Sequence, residues 1–284
     1  MRKYRGLALQ GGGILGIAHL GVAIILQEQG IYKHLTHFAG TSVGAIIAGL
    51  FACRIDPKKI KKLLLRVNLG LLTSGTKSVS NLSTDFGYTN SNKIKIFTEI
   101  ILGLFIGRPF ITFAQVFNTY GSFLIITATD IGEQSTVYYS PETSPEMPIA
   151  EAIRRSAAAP PFFTPVSDNG HLYADGGILE NYPIQKLYQY LPEDEVFGSR
   201  LIPNKYPNVP NTVPTTYEEY MKTVNQMIGR NLMTCGTYLN SIRIYVGDMK
   251  PMDFNITREQ KRFLIQQGKL ATFKFLSQNN MNRH

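Results

Sequence analysis

Gly40-Thr41-Ser42-Val43-Gly44 stands between an apolar stretch, Leu35 to Ala39, and a run of helical spacing from Val43 to Cys53. A serine wedged between a short strand and a helix must turn sharply, so the backbone on either side approaches closely and leaves room for little beyond hydrogen. Gly40 and Gly44 fit that demand. The helix that follows aims its free amides and positive dipole end at the serine, where negative charge develops during acyl transfer. The pentapeptide reads as a nucleophile elbow, with Ser42 as the candidate nucleophile.

The N-terminus repeats this strand, glycine turn and helix. Arg5 to Gln10 is a short apolar strand that runs into Gly11-Gly12-Gly13-Ile14-Leu15-Gly16, after which Ile17 to Gln29 has helical spacing. The glycine run also fits the G-x-G-x-x-G pattern of dinucleotide sites. Such a site wants an acidic residue about twenty positions on, to hold a ribose hydroxyl. At that place stand His34, Leu35, Thr36, His37, Phe38 and Ala39. A P-loop fails as well, because no Gly-Lys-Ser/Thr closes the run. Two readings remain: a tight packing turn, or a loop whose exposed amides hold an oxyanion close to Ser42.

A serine nucleophile needs a base, and the histidines are His19, His34, His37, His171 and His284. The α/β-hydrolase order is Ser, then Asp or Glu, then His. His284 follows both, and it is the last residue. His19, His34 and His37 read as surface or packing residues. A carboxylate can take the base role if it reaches the serine hydroxyl in a site that keeps water out, which raises its basicity. Asp175 is the candidate, at the end of Gly170-His171-Leu172-Tyr173-Ala174-Asp175-Gly176-Gly177. Taken alone, an Asp-Gly-Gly string is an Asx turn or hairpin.

In this order the elements resemble the patatin-like phospholipases, lipid acyl hydrolases related to cytosolic phospholipase A2 that use a Ser–Asp dyad without histidine. Residues 11–16 stand for the family's oxyanion loop and residues 40–44 for its elbow. Arg155-Ser156-Ala157-Ala158-Ala159-Pro160, with Pro161-Phe162-Phe163, is similar to its Ser-Ala-Pro block, and Asp175-Gly176-Gly177 to its aspartate turn. Asn181-Tyr182-Pro183 is similar to the continuation, in which proline opens the next helix. The match spans about residues 5 to 190. It implies a three-layer α/β/α fold around a mostly parallel sheet, Ser42 and Asp175 as the dyad, and amides of Gly11, Gly12, Gly13 and Val43 as oxyanion donors. It also implies hydrolysis of lipid carboxylic esters, of phospholipase A or lysophospholipase type and without calcium. Triacylglycerol lipolysis with the same dyad and a catalytically silent lipid-binding role are the alternatives. Arg154 and Arg155 are candidate contacts for a lipid phosphate, although adjacent arginines on a helix are often solvated or paired.

At 284 residues with 44% apolar content, the chain can build one sizeable α/β core. Residues 1–284 are expected to form one domain. Its further elements are a hairpin of Phe123 to Thr129 with Thr136 to Ser140, a helix near Ile149 to Ala158, a helix from Pro183 to Leu191 and a strand from Val196 to Ile202. Past a proline-rich loop, residues 203–284 complete the domain with a helix near Tyr217 to Thr234, a strand from Ser241 to Val246 and a helix from Arg258 to Leu276, which Thr257 caps.

Residues 55–120 form the least family-like stretch and the expected membrane contact. Asp56 to Leu72 opens with Lys58, Lys59, Lys61 and Lys62 and ends in leucines, and Ile94 to Phe113 includes Ile100-Ile101-Leu102. Neither is long enough to span a bilayer. Each reads as an amphipathic lid on an anionic phospholipid surface, or as a core helix with a solvated basic face. The net charge of +9 suits an anionic partner. No zinc-finger spacing or aromatic-interleaved basic motif points to nucleic acid. Cys53 and Cys235 lack metal spacing and read as buried thiols, so no metal or cofactor is expected. The apolar run Ile14 to Leu26 is interrupted by His19 and lacks signal-peptide architecture. A cytoplasmic protein that visits membranes follows; delivery into another cell and a requirement for a protein activator stay open.

Overall fold

A computed structural model of the chain describes residues 4–74, 84–203, 216 and 240–281. Its strands are β1 Gly6–Leu9, β2 His37–Thr41, β3 Phe123–Asp130, β4 Ser135–Tyr139, β5 Val166–Asp168, β6 His171–Asp175, β7 Val196–Ile202 and β8 Ser241–Tyr245. They form one sheet in the order β5-β6-β3-β2-β1-β7-β8, with β4 also on β3. β1 runs parallel to β2 and β7, β2 to β3, and β7 to β8. Among the described residues the antiparallel pairings all involve β4, β5 or β6.

Alternation along the strands creates the layers, because successive side chains point to opposite faces. Leu7, Leu9, Phe38, Leu124 and Ile126 enter one large buried cluster, while Ala8, Ala39 and Ile125 enter another. Every residue of β3 is buried, as a strand covered on both faces requires. The first face carries α1 Ala18–Glu28, α2 Val43–Ala52, α6 Ile149–Ser156 and α8 Arg258–Met281. The second is covered, among the described residues, by Tyr182 and α7 Ile184–Leu187. The fold is thus the helix-flanked, mostly parallel sheet that the sequence implies.

Between α2 and β3 lie α3 Pro57–Leu64, α4 Asn92–Ile106 and α5 Phe113–Tyr120. Asp56 caps α3 by accepting from the Lys58 amide, and Thr112 with Gln115 closes a reciprocal capping box on α5. Thr257 and Gln260 form the same box on α8. Glycines let α1 and α8 cross backbone to backbone. A Cβ on Gly268 of α8 would run into the Ala18 carbonyl oxygen, and one on Gly21 of α1 into that of Ile265.

The structure departs from the sequence reading in several elements: the helix from Arg258 runs to Met281 rather than Leu276, and the one opening at Asp56 ends at Leu64, short of Leu72. The helix expected over Pro183 to Leu191 ends at Leu187, because the Gln189 and Tyr190 amides reach back three residues rather than four. β5 was not expected, being only three residues long. The expected helix near 217–234, Cys235 and His284 lie outside the described residues. Among the described residues no helix is long and apolar enough to cross a membrane.

Candidate active site

Topology brings the serine and the aspartate together. β4 occupies one edge of β3 over residues 126–130, so the other edge must serve two strands. β2 takes residues 123–127 of that edge, running parallel, and β6 takes 128–130, running antiparallel. The two meet head to head: Thr41 lies opposite Thr127 and Asp175 opposite Ala128. Ser42 and Asp175 therefore emerge at the same seam.

The elbow is as tight as the glycines imply. Ser42 sits at φ 56, ψ −125, a region that side chains rarely occupy and that costs about 1–3 kcal/mol. A Cβ on Gly40 would strike the Gly44 carbonyl, and one on Gly44 the Leu9 carbonyl. At the seam Ser42 Oγ donates to Asp175 Oδ2 at 2.6 Å. The Gly177 amide donates to the other carboxylate oxygen at 2.7 Å. Burial raises the Asp175 carboxyl from 3.8 to about 6, against the two hydrogen bonds, which favour the charged form. The Thr129 hydroxyl donates to the Asp175 carbonyl, and Thr41 and Thr127 share a buried bond at 2.6 Å.

The Ser-Ala-Pro block braces both partners. Ser156 Oγ accepts from the Ser42 amide at 2.9 Å, and the Ala158 carbonyl accepts from the Asp175 amide at 3.1 Å. The motif was legible in the sequence; this bracing was not.

The glycine loop lies against the serine, since a Cβ on Gly11 would come within 3.2 Å of Ser42 Cβ. Among the described residues the amides of Gly12, Gly13 and Val43 have no protein acceptor. Gly11 is a correction: its amide is spent on the Asn181 carbonyl at 3.1 Å, so it is a strut rather than an oxyanion donor. A strut from elsewhere was missed altogether. The Ile14 amide donates to the Pro251 carbonyl at 2.8 Å, and a Cβ on Gly13 would collide with that same oxygen. The loop after β8 thus closes over the glycine loop, and its Phe254 packs edge-on against Phe163. No sequence signal marks Pro251 for this role.

The arginines are a second correction. Arg155 is buried, stacked 4.4 Å from the Tyr173 ring centre and paired with Asp168 at 2.7 Å and Glu151 at 3.4 Å. Arg154 bonds Ser91 and pairs with Glu151 at 3.6 Å. Both guanidiniums are engaged within the protein because α6 places Glu151 one turn before them. His19 is the packing residue that the sequence suggests. Burial lowers it to about 4, so it is neutral; Nε2 donates to the Gln10 carbonyl and Nδ1 accepts from Ser199. Among the described residues no group of His, Cys, Asp and Glu is arranged to hold a metal.

Comparisons with known proteins place the chain in one family. A family model described as patatin-like phospholipase matches residues 7–188. An uncharacterised protein of Acanthamoeba polyphaga mimivirus is 29% identical over 278 residues, covering 94% of this chain and 91% of that one. A protein of invertebrate iridescent virus 6 named as a probable lipid hydrolase is 30% identical over 195 residues, 66% of this chain and 65% of its own. The crystal structure of VipD from Legionella pneumophila superposes with a TM-score of 0.73 at 19% identity, covering 97% of this chain and 67% of VipD. With a glycine loop, an elbow and a facing aspartate, and a family model that matches residues 7–188, the chain belongs to the patatin-like phospholipase family.

Proposed function

We propose that the chain hydrolyses acyl esters of membrane phospholipids, as a calcium-independent phospholipase A or lysophospholipase, through Ser42 and Asp175. The observation that carries the reading is the 2.6 Å hydrogen bond from Ser42 Oγ to a buried carboxylate whose basicity is raised. Asp175 takes the serine proton as Oγ attacks the ester carbonyl. The oxyanion of the tetrahedral intermediate is held by amides of Gly12, Gly13 and Val43; removing one such donor costs about 2.7–4 kcal/mol in other enzymes. Collapse expels the lysolipid alkoxide, which recovers the proton from Asp175 and leaves an acyl-serine. Water then attacks the acyl-serine, giving its proton to Asp175, and collapse returns fatty acid and free serine.

Exposed apolar side chains support a lipid substrate. Phe162 belongs to the block that braces Ser42, and Leu179 follows the Asp175 turn; both are exposed. Ile96, Ile100 and Leu104, four residues apart on α4, lie open to solvent with Phe110 beyond them. Such a stripe suits insertion into a bilayer interface. The test is incubation of wild type and Ser42→Ala with mixed zwitterionic and anionic phospholipid vesicles in EDTA, with fatty acids and lysolipids resolved by mass spectrometry. Release by wild type alone is expected. Equal release by Ser42→Ala would remove the reading, and turnover confined to triacylglycerol emulsions would replace it with a lipase of the same dyad.

A further inference from the structure

At the other end of α1 from the glycine loop, four lysines line one half-open pocket of about 340 Å³. Lys58, Lys61, Lys62 and Leu65 line it from α3 and its C-terminal end, Ile24 from α1 and Lys269 from α8. Positions 58, 61, 62 and 65 share one helical face by their spacing. Pro57, Ile60 and Leu64 occupy the buried face of the same helix. Helical rise puts Ile24 on the order of 15 Å beyond Gly13, so the pocket is separate from the serine and its aspartate.

The charge is poorly compensated. Glu28 pairs with Lys58 at 3.1 Å, whereas Lys61, Lys62 and Lys269 have no ion pair among the described residues. The fold nevertheless fixes them side by side. Lys269 follows Gly268, where α8 touches α1 backbone to backbone. Buried Lys261 of α8 donates to the Leu64 and Val67 carbonyls, which locks the end of α3 onto α8. Three lysines without ion pairs, on helices held against one another, favour an anion at this patch. The neighbouring surface is apolar: Leu270 and Phe273, one and four residues past Lys269, are 52% and 46% exposed.

We propose that this pocket binds phosphomonoester groups of a membrane lipid headgroup while Leu270 and Phe273 enter the apolar layer beside it. A phosphomonoester carries about −1.5 to −2 charge at neutral pH and so answers several ammoniums at once, where a diester headgroup offers less. The adjoining apolar pair selects a lipid over a free phosphate. The site rests on the membrane-contact part of the functional reading and is independent of Ser42 and Asp175.

The test uses the Ser42→Ala protein, so that no lipid is consumed, and phosphatidylcholine vesicles doped with phosphatidic acid or with phosphatidylserine. Co-sedimentation should favour phosphatidic acid. Lys61→Gln/Lys62→Gln/Lys269→Gln should lower that binding by about 100-fold, from roughly 1 kcal/mol per lysine at an anionic surface. Lys33→Gln/Lys186→Gln/Lys250→Gln, with the same charge loss outside the pocket, should lower it by less than about 5-fold, less than one such lysine's share. Leu270→Ala/Phe273→Ala should weaken vesicle binding while leaving affinity for soluble pyrophosphate unchanged. Turnover of a soluble short-chain ester by the pocket triple in a Ser42 background, equal to wild type, would verify folding. Equal losses in the two lysine triples would overturn the site, as would indifference to phosphatidic acid over phosphatidylserine. Pyrophosphate binding without vesicle binding would reassign the pocket to a soluble phosphate and refute the lipid proposal.

Discussion

Replacing the proposed base should stabilise the protein while silencing it. Asp175 is buried, and its carboxyl rises from 3.8 to about 6 on folding. Between those values the folded state keeps a proton that the unfolded chain has released, so stability falls as pH rises through the window and stays low above it. About two units at 1.36 kcal/mol each amount to about 3 kcal/mol of native-state cost at pH 8. Asp175→Asn removes that cost. Its oxygen can accept from the Gly177 amide and its NH2 can face Ser42 Oγ, as the protonated acid would. At pH 8 the variant should therefore melt higher, by about 6 °C at roughly 2 °C per kcal/mol for a chain of this size. Near pH 4 the gain should vanish, because the native carboxyl is then neutral. Calorimetry across pH 4 to 8 reads the difference. A gain independent of pH, or a loss at pH 8, would refute a carboxylate destabilised by burial. The same shift places the rise of kcat/KM for wild type near pH 6, since only the ionised carboxylate can take the serine proton.

Further outcomes follow from the geometry around the seam. Ser42→Gly should be more stable than Ser42→Ala by about 1–2 kcal/mol in urea melts, because glycine adopts φ 56, ψ −125 without strain; equal stabilities would mean that the elbow stores none. Ser156→Ala leaves the Ser42 amide without its acceptor and should cost about 1–3 kcal/mol, with kcat reduced more than KM is raised. Gly268→Ala should destabilise by about 1–3 kcal/mol through contact with the Ala18 carbonyl. Gly103→Ala on α4, whose nearest neighbour stands 3.7 Å away, should be neutral or stabilising by up to about 1 kcal/mol.

Local grammar carried the elbow and the glycine loop into the sequence. Gly40, Ser42 and Gly44 lie within five consecutive residues, and each glycine is required by a contact within a few residues or with the adjacent strand β1. Asp175 was legible for a different reason: the Asp-Gly-Gly string alone reads as a turn, and it gained its role from the resemblance to the family's aspartate turn. Its partner could not be derived from residue types. That partnership depends on β4 claiming one edge of β3 and leaving β2 and β6 to meet along the other, a consequence of non-local pairing. Backbone acceptors were invisible for the same reason. Gly11 was expected to face the substrate, yet its amide reaches Asn181, and Ile14 is held by Pro251, far along the chain and outside the part that the family model matches. A carbonyl is present at every position, so composition cannot mark the one that will be used. The arginines failed by the opposite route: their side chains were conspicuous, but Glu151, Asp168 and Tyr173 had already answered them. In this fold the glycine loop is thus held in place by backbone groups from the aspartate side and from the segment after β8. The orientation of Gly12 and Gly13 then depends on parts of the chain that the motifs do not contain.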